Sequence, residues 1–181
     1  MKRYLLLISL LSMACFGQKP RPVSAKDSTQ VREQVNQRVS TLGEALAKTN
    51  EWNEVSIAFQ VDTSAIEQRL RLYLDIDYST SGMIKYTLGA EEAYDQLLNK
   101  YYRLLLDKLN EEDQSTLIQA QNYWQLYRES ERTLNRKLSN EDYSGGGSIQ
   151  AVFTASRYLA ITKARVLELY RYLLRFENVT D

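Results

Sequence analysis

The stretch from Ser79 to Leu109, STSGMIKYTLGAEEAYDQLLNKYYRLLLDKL, carries the clearest structural signal in the chain. Its large apolar residues recur at helical spacing and would form one broad stripe: Tyr94, Leu97, Leu98, Tyr101, Leu105 and Leu109. Ser79, Thr80 or Ser81 can cap the start, and Gly89 is a potential weak point. The stretch therefore predicts a long helix that packs along one side.

Three further helices are predicted around this one. Asp27 or Ser28 can cap a helix that extends to Asn50, and Asn110 can cap another that extends to about Leu138. The acidic residues at 111–113 fit the first helical turn, where the helix dipole favours negative charge, better than a metal site. The only prolines are Pro20 and Pro22, so nothing interrupts long helices further on. We predict an all-α fold, a small helical bundle with long antiparallel helices.

The sequence also predicts which faces of the later helices are buried. The helix that follows Asn110 is expected to turn one set of side chains inward: Leu117, Ala120, Gln121, Trp124 and Tyr127. The last helix, from about Ile149 to Phe176, has one set expected to face the core: Ile149, Val152, Phe153, Ser156, Ala160, Val166, Tyr170 and Leu174. An adjoining stripe follows the same spacing: Tyr158, Thr162, Arg165, Leu169 and Tyr172.

The segment 54–78 is ambiguous. Apolar residues alternate from Val55 to Val61 and again from Arg69 to Tyr78, which is typical of strands. Ser64 and Glu67, however, have the spacing of a helix capping box. We favour a helix from about Thr63 to Leu74, with a short β-hairpin as the alternative.

The first residues have the pattern of an export signal. Lys2 and Arg3 precede a short apolar run, and that run is too short to span a bilayer. Cys15 follows Ala14 as in a bacterial lipoprotein site, whereas cleavage after Gly17 would release a soluble protein. We predict an exported protein, periplasmic or secreted, and lipid anchoring at Cys15 stays open. The expected division is a signal peptide (1–17), a tether (18–26), a helical or extended region (27–78) and a helical domain (79–176).

Composition narrows the possible functions. Removal of the signal would leave 21 basic against 23 acidic residues, a formal charge of −2, which argues against a nucleic-acid partner. The chain has no histidine and only one cysteine. Catalysis by Ser-His-Asp or Cys-His is therefore excluded, as is an intramolecular disulfide. Glu91, Glu92 and Asp95 lie close together on one helix, but nothing indicates a cleft around them. We predict no enzyme activity, no cofactor and no metal.

Three predicted helices carry polar and aromatic residues at spacings that place each set on one face: Asp95, Leu98, Asn99 and Tyr102; Gln121, Trp124 and Arg128; Thr162 and Arg165. Buried polar groups need partners. Asn99 and Gln121 could bridge neighbouring helices, and Trp124 suits a helix–helix core. For Arg165 the candidate partners are Glu129, Glu131 and Asp95.

These residues, taken in order, resemble the signature of the lysozyme inhibitor LprI-like family over about Ser79 to Leu174. Met83 is followed twelve residues later by D-x-x-L-N-x-x-Y at 95–102, then by Q-x-x-W at 121–124 with Arg128 close by. A glycine run at 145–147 and T-x-x-R at 162–165 complete the pattern. The family usually has cysteines that tie its helices together, one of them three residues after the Met. Here that position is Tyr86, and the region of Glu131 and Arg132 has none either.

The resemblance implies a binding protein that inhibits lysozyme or a related peptidoglycan hydrolase. The glycine-rich connection is then the candidate partner-binding loop, since loops on a rigid scaffold commonly carry recognition: Glu141, Asp142, Tyr143, Gly145, Gly146 and Gly147. A structural or adaptor module of the cell envelope is the alternative, because the thirteen tyrosines suit protein interfaces. We interpret the signature residues as structural, with direct ligand contact as the alternative.

Overall fold

The computed structural model describes residues 19–49 and 51–177, and within them every regular element is helical. The all-α prediction is confirmed. The elements are α1 (Ala25–Lys48), α2 (Glu54–Ile76), α3 (Thr80–Leu106), α4 (Glu111–Leu138), the single-turn α5 (Glu141–Ser144) and α6 (Ile149–Glu177). The predicted signal segment and Cys15 lie outside the described residues.

Side-chain caps set the start of the long helices. The side chains of Asn53, Ser79 and Asn110 each accept a hydrogen bond from the backbone N–H three residues further on. For α1 the predicted cap was wrong. Ser24 caps the helix, and Asp27 completes a capping box by accepting from the Ser24 backbone N–H at 2.8 Å. Helix α1 therefore begins inside the predicted tether.

The favoured helix from about Thr63 to Leu74 is confirmed, and it forms part of the longer helix α2 (Glu54–Ile76), so the alternative hairpin was wrong. The strand expected over Val55–Val61 was wrong, because Val55, Phe59 and Ile66 lie at helical spacing and pack against the core. The apparent alternation came from small and polar residues that tolerate either structure. Ser64 and Glu67 are not a capping box but lie in the middle of the helix.

The core lies between α3 and α6, which form the most extensive interface of the bundle. Consecutive long helices are antiparallel, as predicted, so α3 and α6 are parallel to each other. Aromatic rings fill the centre of the core: Phe59 stacks on Tyr170 with 3.7 Å between ring centroids, and Tyr101 meets Phe59 edge-on at 5.4 Å. The buried face of α6 was predicted only in part. Four of the predicted core residues are exposed, namely Ile149, Phe153, Ser156 and Ala160, and the adjoining stripe forms the centre of the interface.

A polar cluster also holds α2 against α3 and α6. Tyr94 donates a hydrogen bond to the Glu67 carboxylate at 2.7 Å, and Lys163 pairs with the same oxygen. Burial raises the pKa of Glu67, but the bonds from Lys163 and Tyr94 and the Lys163 charge outweigh it and keep the pKa below its ordinary value. Burial, followed by the bond to Glu67, raises the pKa of Tyr94.

Because of this cluster, the unfolding free energy depends on pH in the acid range. Because the pKa of Glu67 is lower in the folded state, its contribution is fully present above the ordinary value of 4.5 and is lost as the pH falls through the folded-state pKa. We expect Glu67→Gln to flatten the decline in unfolding free energy between about pH 5 and pH 3, measured by urea unfolding. Glu33→Gln, at an exposed position on α1, is the control. An equal flattening by both variants would contradict the assignment.

Two glycines of α3 differ sharply in the space around them. A Cβ added at Gly82 would lie 2.4 Å from both the side chain and the backbone oxygen of Asp77, whereas one at Gly89 would meet nothing within 4 Å. We expect Gly82→Ala to lower the unfolding free energy by about 1–3 kcal/mol through overpacking. Gly89→Ala should raise it by about 0.5–1 kcal/mol, because alanine has the higher helix propensity. Equal effects of the two substitutions in chemical denaturation would refute this.

Candidate functional site

Two ion pairs, one helical turn apart, connect α3 to α4. Arg132 donates to the Glu91 carboxylate at 2.5 Å, and Arg128 pairs with Asp95. The two pairs differ in exposure, since the Glu91 side chain is 12 % exposed and that of Asp95 is 41 % exposed. Helix α4 buries only Leu117 and Gln121. Polar contacts therefore contribute much of what fixes α4 on the bundle.

A second layer of polar contacts comes from α6. The Thr162 hydroxyl donates to Glu91 at 2.8 Å, so one carboxylate connects α3, α4 and α6. Arg165, only 7 % exposed, donates through Nε to Gln121 at 3.1 Å and through Nη1 to Glu168 at 2.5 Å. Its expected partners Glu129, Glu131 and Asp95 were wrong. Glu168 lies three residues further on in the same helix and is closer, and Asp95 is already paired with Arg128.

Aromatic rings lie against the guanidinium groups of this layer. The Trp124 ring is 4.8 Å from the guanidinium carbon of Arg128 and 5.9 Å from that of Arg165. Tyr158 lies in the same way near Arg132, 5.2 Å away, and its hydroxyl donates to the Arg132 backbone oxygen at 3.1 Å. Trp124 is therefore half-buried between two cations. The prediction that Ala120 and Tyr127 are buried was wrong, because both are exposed.

The remaining signature residues are distributed along α3. Leu98 is buried in the core, Tyr102 packs against it, and Met83 is partly buried. Asn99 is exposed, so of the two proposed bridging amides only Gln121 lies between helices. The structure therefore brings six signature residues together around α4, along with Glu91, which accepts a hydrogen bond from one of them. The six are Asp95, Gln121, Trp124, Arg128, Thr162 and Arg165.

The candidate loop has a defined conformation. Helix α5 ends at Gly145, and the three consecutive glycines have φ values of 74°, 75° and 90°, which side-chain-bearing residues rarely adopt. The Ser144 hydroxyl donates to the Ser139 backbone oxygen at 3.0 Å and fastens the loop to the end of α4. Tyr143 is 72 % exposed, and Glu141 and Asp142 are exposed beside it. The loop therefore presents an aromatic ring and two carboxylates at one end of the bundle.

The central position of Glu91 was missed from the sequence, where it was considered only as part of an acidic cluster. A signal for it did exist. Glu91 and Asp95 are four residues apart, and so are Arg128 and Arg132. Two acidic residues four positions apart on one helix can form two ion pairs with two basic residues four positions apart on an adjacent antiparallel helix. Glu168 also had a signal, because it lies three residues after Arg165 and four before Tyr172 in the same helix. Tyr158 had none, because its partner Arg132 depends on where α6 packs.

Across residues 19–49 and 51–177, no group of three or more acidic, histidine or cysteine side chains is arranged to hold a metal ion. In the same residues no helix combines the length and the low polarity needed to cross a membrane.

Comparison with known proteins places these residues in a family context. The family model described as Lysozyme inhibitor LprI matches residues 76–169, just over half of the chain. That range contains the two α3–α4 ion pairs, the loop and Arg165. No curated protein and no solved structure matches the chain.

The two ion pairs provide a matched test of what holds α4. Glu91→Gln removes the nearer carboxylate from Arg132 in a largely buried position and leaves it only the exposed Glu129 at 3.5 Å. We therefore expect the unfolding free energy to fall by about 1–3 kcal/mol. Asp95→Asn acts on the more exposed pair, so we expect a loss of at most about 1 kcal/mol. Urea unfolding of both variants gives the comparison. A larger loss for Asp95→Asn would show that exposure does not determine the strength of the two pairs.

Proposed function

Because the chain belongs to the lysozyme inhibitor LprI family, we propose that it is an exported, non-enzymatic protein that binds and inhibits a lysozyme or a related peptidoglycan hydrolase. The family match over 76–169 supports this proposal. The signal-like residues 1–17 support export to the periplasm or beyond. Lipid anchoring through Cys15 and release after Gly17 are the two forms the mature protein can take, and intact-mass spectrometry of the secreted protein distinguishes them.

The observation that carries the proposal is the end of the bundle around α5. Tyr143 is 72 % exposed in the single turn α5, next to two acidic side chains, and the Ser144 hydroxyl fastens this turn to the end of α4. Exposed apolar residues lie in the adjoining helix ends: Leu138, Ile149 and Phe153. A pre-shaped, protruding aromatic residue with an apolar surround has the character of an interface hot spot.

In this proposal, recognition of the hydrolase depends more on shape and apolar contact than on charge. Glu141 and Asp142 would attract a basic hydrolase. Two basic residues, Arg136 and Lys137, however, lie in the last turn of α4, just before these acidic residues in the chain. The local charge is thus nearly balanced, so electrostatic steering toward the loop is weak. Tyr143 is consequently the residue that we propose as the anchor.

The signature residues, in this proposal, have a structural role. Gln121, Thr162 and Arg165 are buried and bonded between helices, which supports a function in positioning α4 rather than in touching a partner. The loop that follows α4 depends on that position. The signature would then identify a scaffold, and the recognition residues would lie at its end.

An adaptor of the cell envelope is the second candidate. One face of α4 is apolar yet exposed, and its residues recur at helical spacing: Tyr123, Leu126, Tyr127, Leu134 and Leu138. Such a face supports contact with another protein. Stable co-purification with an envelope protein, without inhibition of any hydrolase, would favour this function.

Replacement of the proposed anchor tests inhibition directly. We expect the wild-type protein to inhibit a lysozyme at micromolar concentration and Tyr143→Ala to raise the inhibition constant by about 10–100-fold, the usual cost of losing an aromatic hot spot. Hydrolysis of labelled cell walls provides the measurement.

Tyr123→Ala removes another exposed tyrosine, about four helical turns along α4 from the loop, and serves as the control. It should leave the inhibition constant within about twofold of the wild-type value. Equal losses in both variants, or no inhibition of any hydrolase by the wild-type protein, would contradict the proposal.

A further inference from the structure

A groove of about 430 Å³ lies between α4 and α6, separate from the loop. Trp124 and Tyr127 form its α4 side, and Ala160 and Ala164 provide a low floor on α6. Its volume lies within the usual range for small-molecule sites. The small floor residues keep the space between the helices open, because larger side chains there would fill it.

The described residues that line this groove carry a net positive charge. They include three arginines, Arg157, Arg165 and Arg171, and one acidic residue, Glu168. Arg157 reaches Glu131 only at 3.5 Å, and Arg171 forms no ion pair with any described residue. Glu168 is already engaged, since one of its oxygens accepts from Arg165 and the other from the Tyr172 hydroxyl at 3.0 Å.

An unsatisfied donor at the inner wall adds to this excess. Arg165 is more than nine-tenths buried, and its Nη2 has no hydrogen-bond partner among the described residues. A buried donor without a partner is costly unless something compensates for it. The electric field of an anion in the groove would lower that cost. The accessible guanidinium groups of Arg157 and Arg171 can hold such an anion, because a guanidinium can bind a carboxylate bidentately.

The shape of the groove indicates an elongated ligand. Arg157 and Arg171 are fourteen residues apart in one helix, which corresponds to about 21 Å. No single sugar or amino acid can reach both. The exposed ring of Tyr127 offers a flat apolar surface between them.

An extended peptide fits this site less well than a glycan does. Both walls are helices whose backbone groups are already bonded within the helix, so a peptide backbone would find few partners. Sugar rings can lie against Tyr127, and their carboxylates can meet the arginines. We propose that the groove binds an acidic oligosaccharide, a chain of sugar rings bearing carboxylates such as a peptidoglycan glycan strand without its stem peptides. This proposal does not depend on inhibition of a hydrolase.

The experiment measures binding by isothermal titration calorimetry with three probes. These are a soluble glycan strand whose sugars carry lactyl carboxylates, a neutral chito-oligosaccharide of the same length, and polyphosphate. We expect the acidic glycan to bind at least about tenfold more tightly than the neutral chain, and more weakly as salt increases. Equal affinity for the neutral chain, equal affinity for polyphosphate, or no binding up to millimolar glycan would overturn the proposal.

Variants locate the site. Arg171→Gln should weaken glycan binding about tenfold or more, and Tyr127→Ala should weaken binding of both the acidic and the neutral chain. Arg103→Gln removes the same charge at an exposed position of α3 outside the groove, so it should change the affinity by less than about twofold. Tyr143→Ala should leave glycan binding intact, which separates this site from the proposed inhibitory loop. Equal losses for Arg103→Gln and Arg171→Gln would overturn the assignment to the groove.

Discussion

The attachment of α4 to the rest of the bundle depends on a buried polar layer. Helix α4 buries few apolar side chains, so the hydrophobic effect alone places it weakly. The carboxylate of Glu91 receives bonds from Arg132 on α4 and from Thr162 on α6 and thereby fixes both helices relative to α3. Directional bonds of this kind define one arrangement, whereas apolar contacts allow a helix to slide or rotate. The end loop and the α4–α6 groove are both built on the helix that this layer positions.

The same layer explains how the chain manages without the cysteines usual in its family. A disulfide would contribute about 2–4 kcal/mol. Here Tyr86 takes the cysteine position and stacks on Tyr73 of α2, with 4.7 Å between ring centroids. It therefore strengthens the α2–α3 interface. The α3–α4 connection near Arg132 is provided by the ion pair with Glu91 instead. One covalent link is thus replaced by two non-covalent contacts that act on different helix pairs.

Much of the architecture could be predicted from local signals. The caps at Ser79 and Asn110 and the apolar stripe of α3 depend on residues within a few positions of each other, and they indicated the correct helices. The errors came from features that depend on tertiary packing. Val55–Val61 alternates in the sequence, but its helical form is selected by Phe59, which enters the core between Tyr101 and Tyr170. The Glu168 partner of Arg165 was indicated by its i,i+3 spacing and was overlooked, whereas the Gln121 partner depends on how α6 is rotated against α4.

The exposed apolar face of α4 follows from the polar contacts that attach this helix to the bundle. A helix held by polar contacts on one side does not need a broad apolar stripe for burial, so its apolar residues are free to serve another surface. Tyr127 illustrates this. The spacing suggested a core position, yet the ring lies at the edge of the groove, because Trp124 and the arginines already occupy the space between α4 and α6. If α4 were packed mainly through leucines, the groove would close, and neither Tyr127 nor the accessible arginines at 157 and 171 would be available to a ligand. The costly burial of Arg165 is thus the physical condition for an open, positively charged surface on an otherwise neutral bundle.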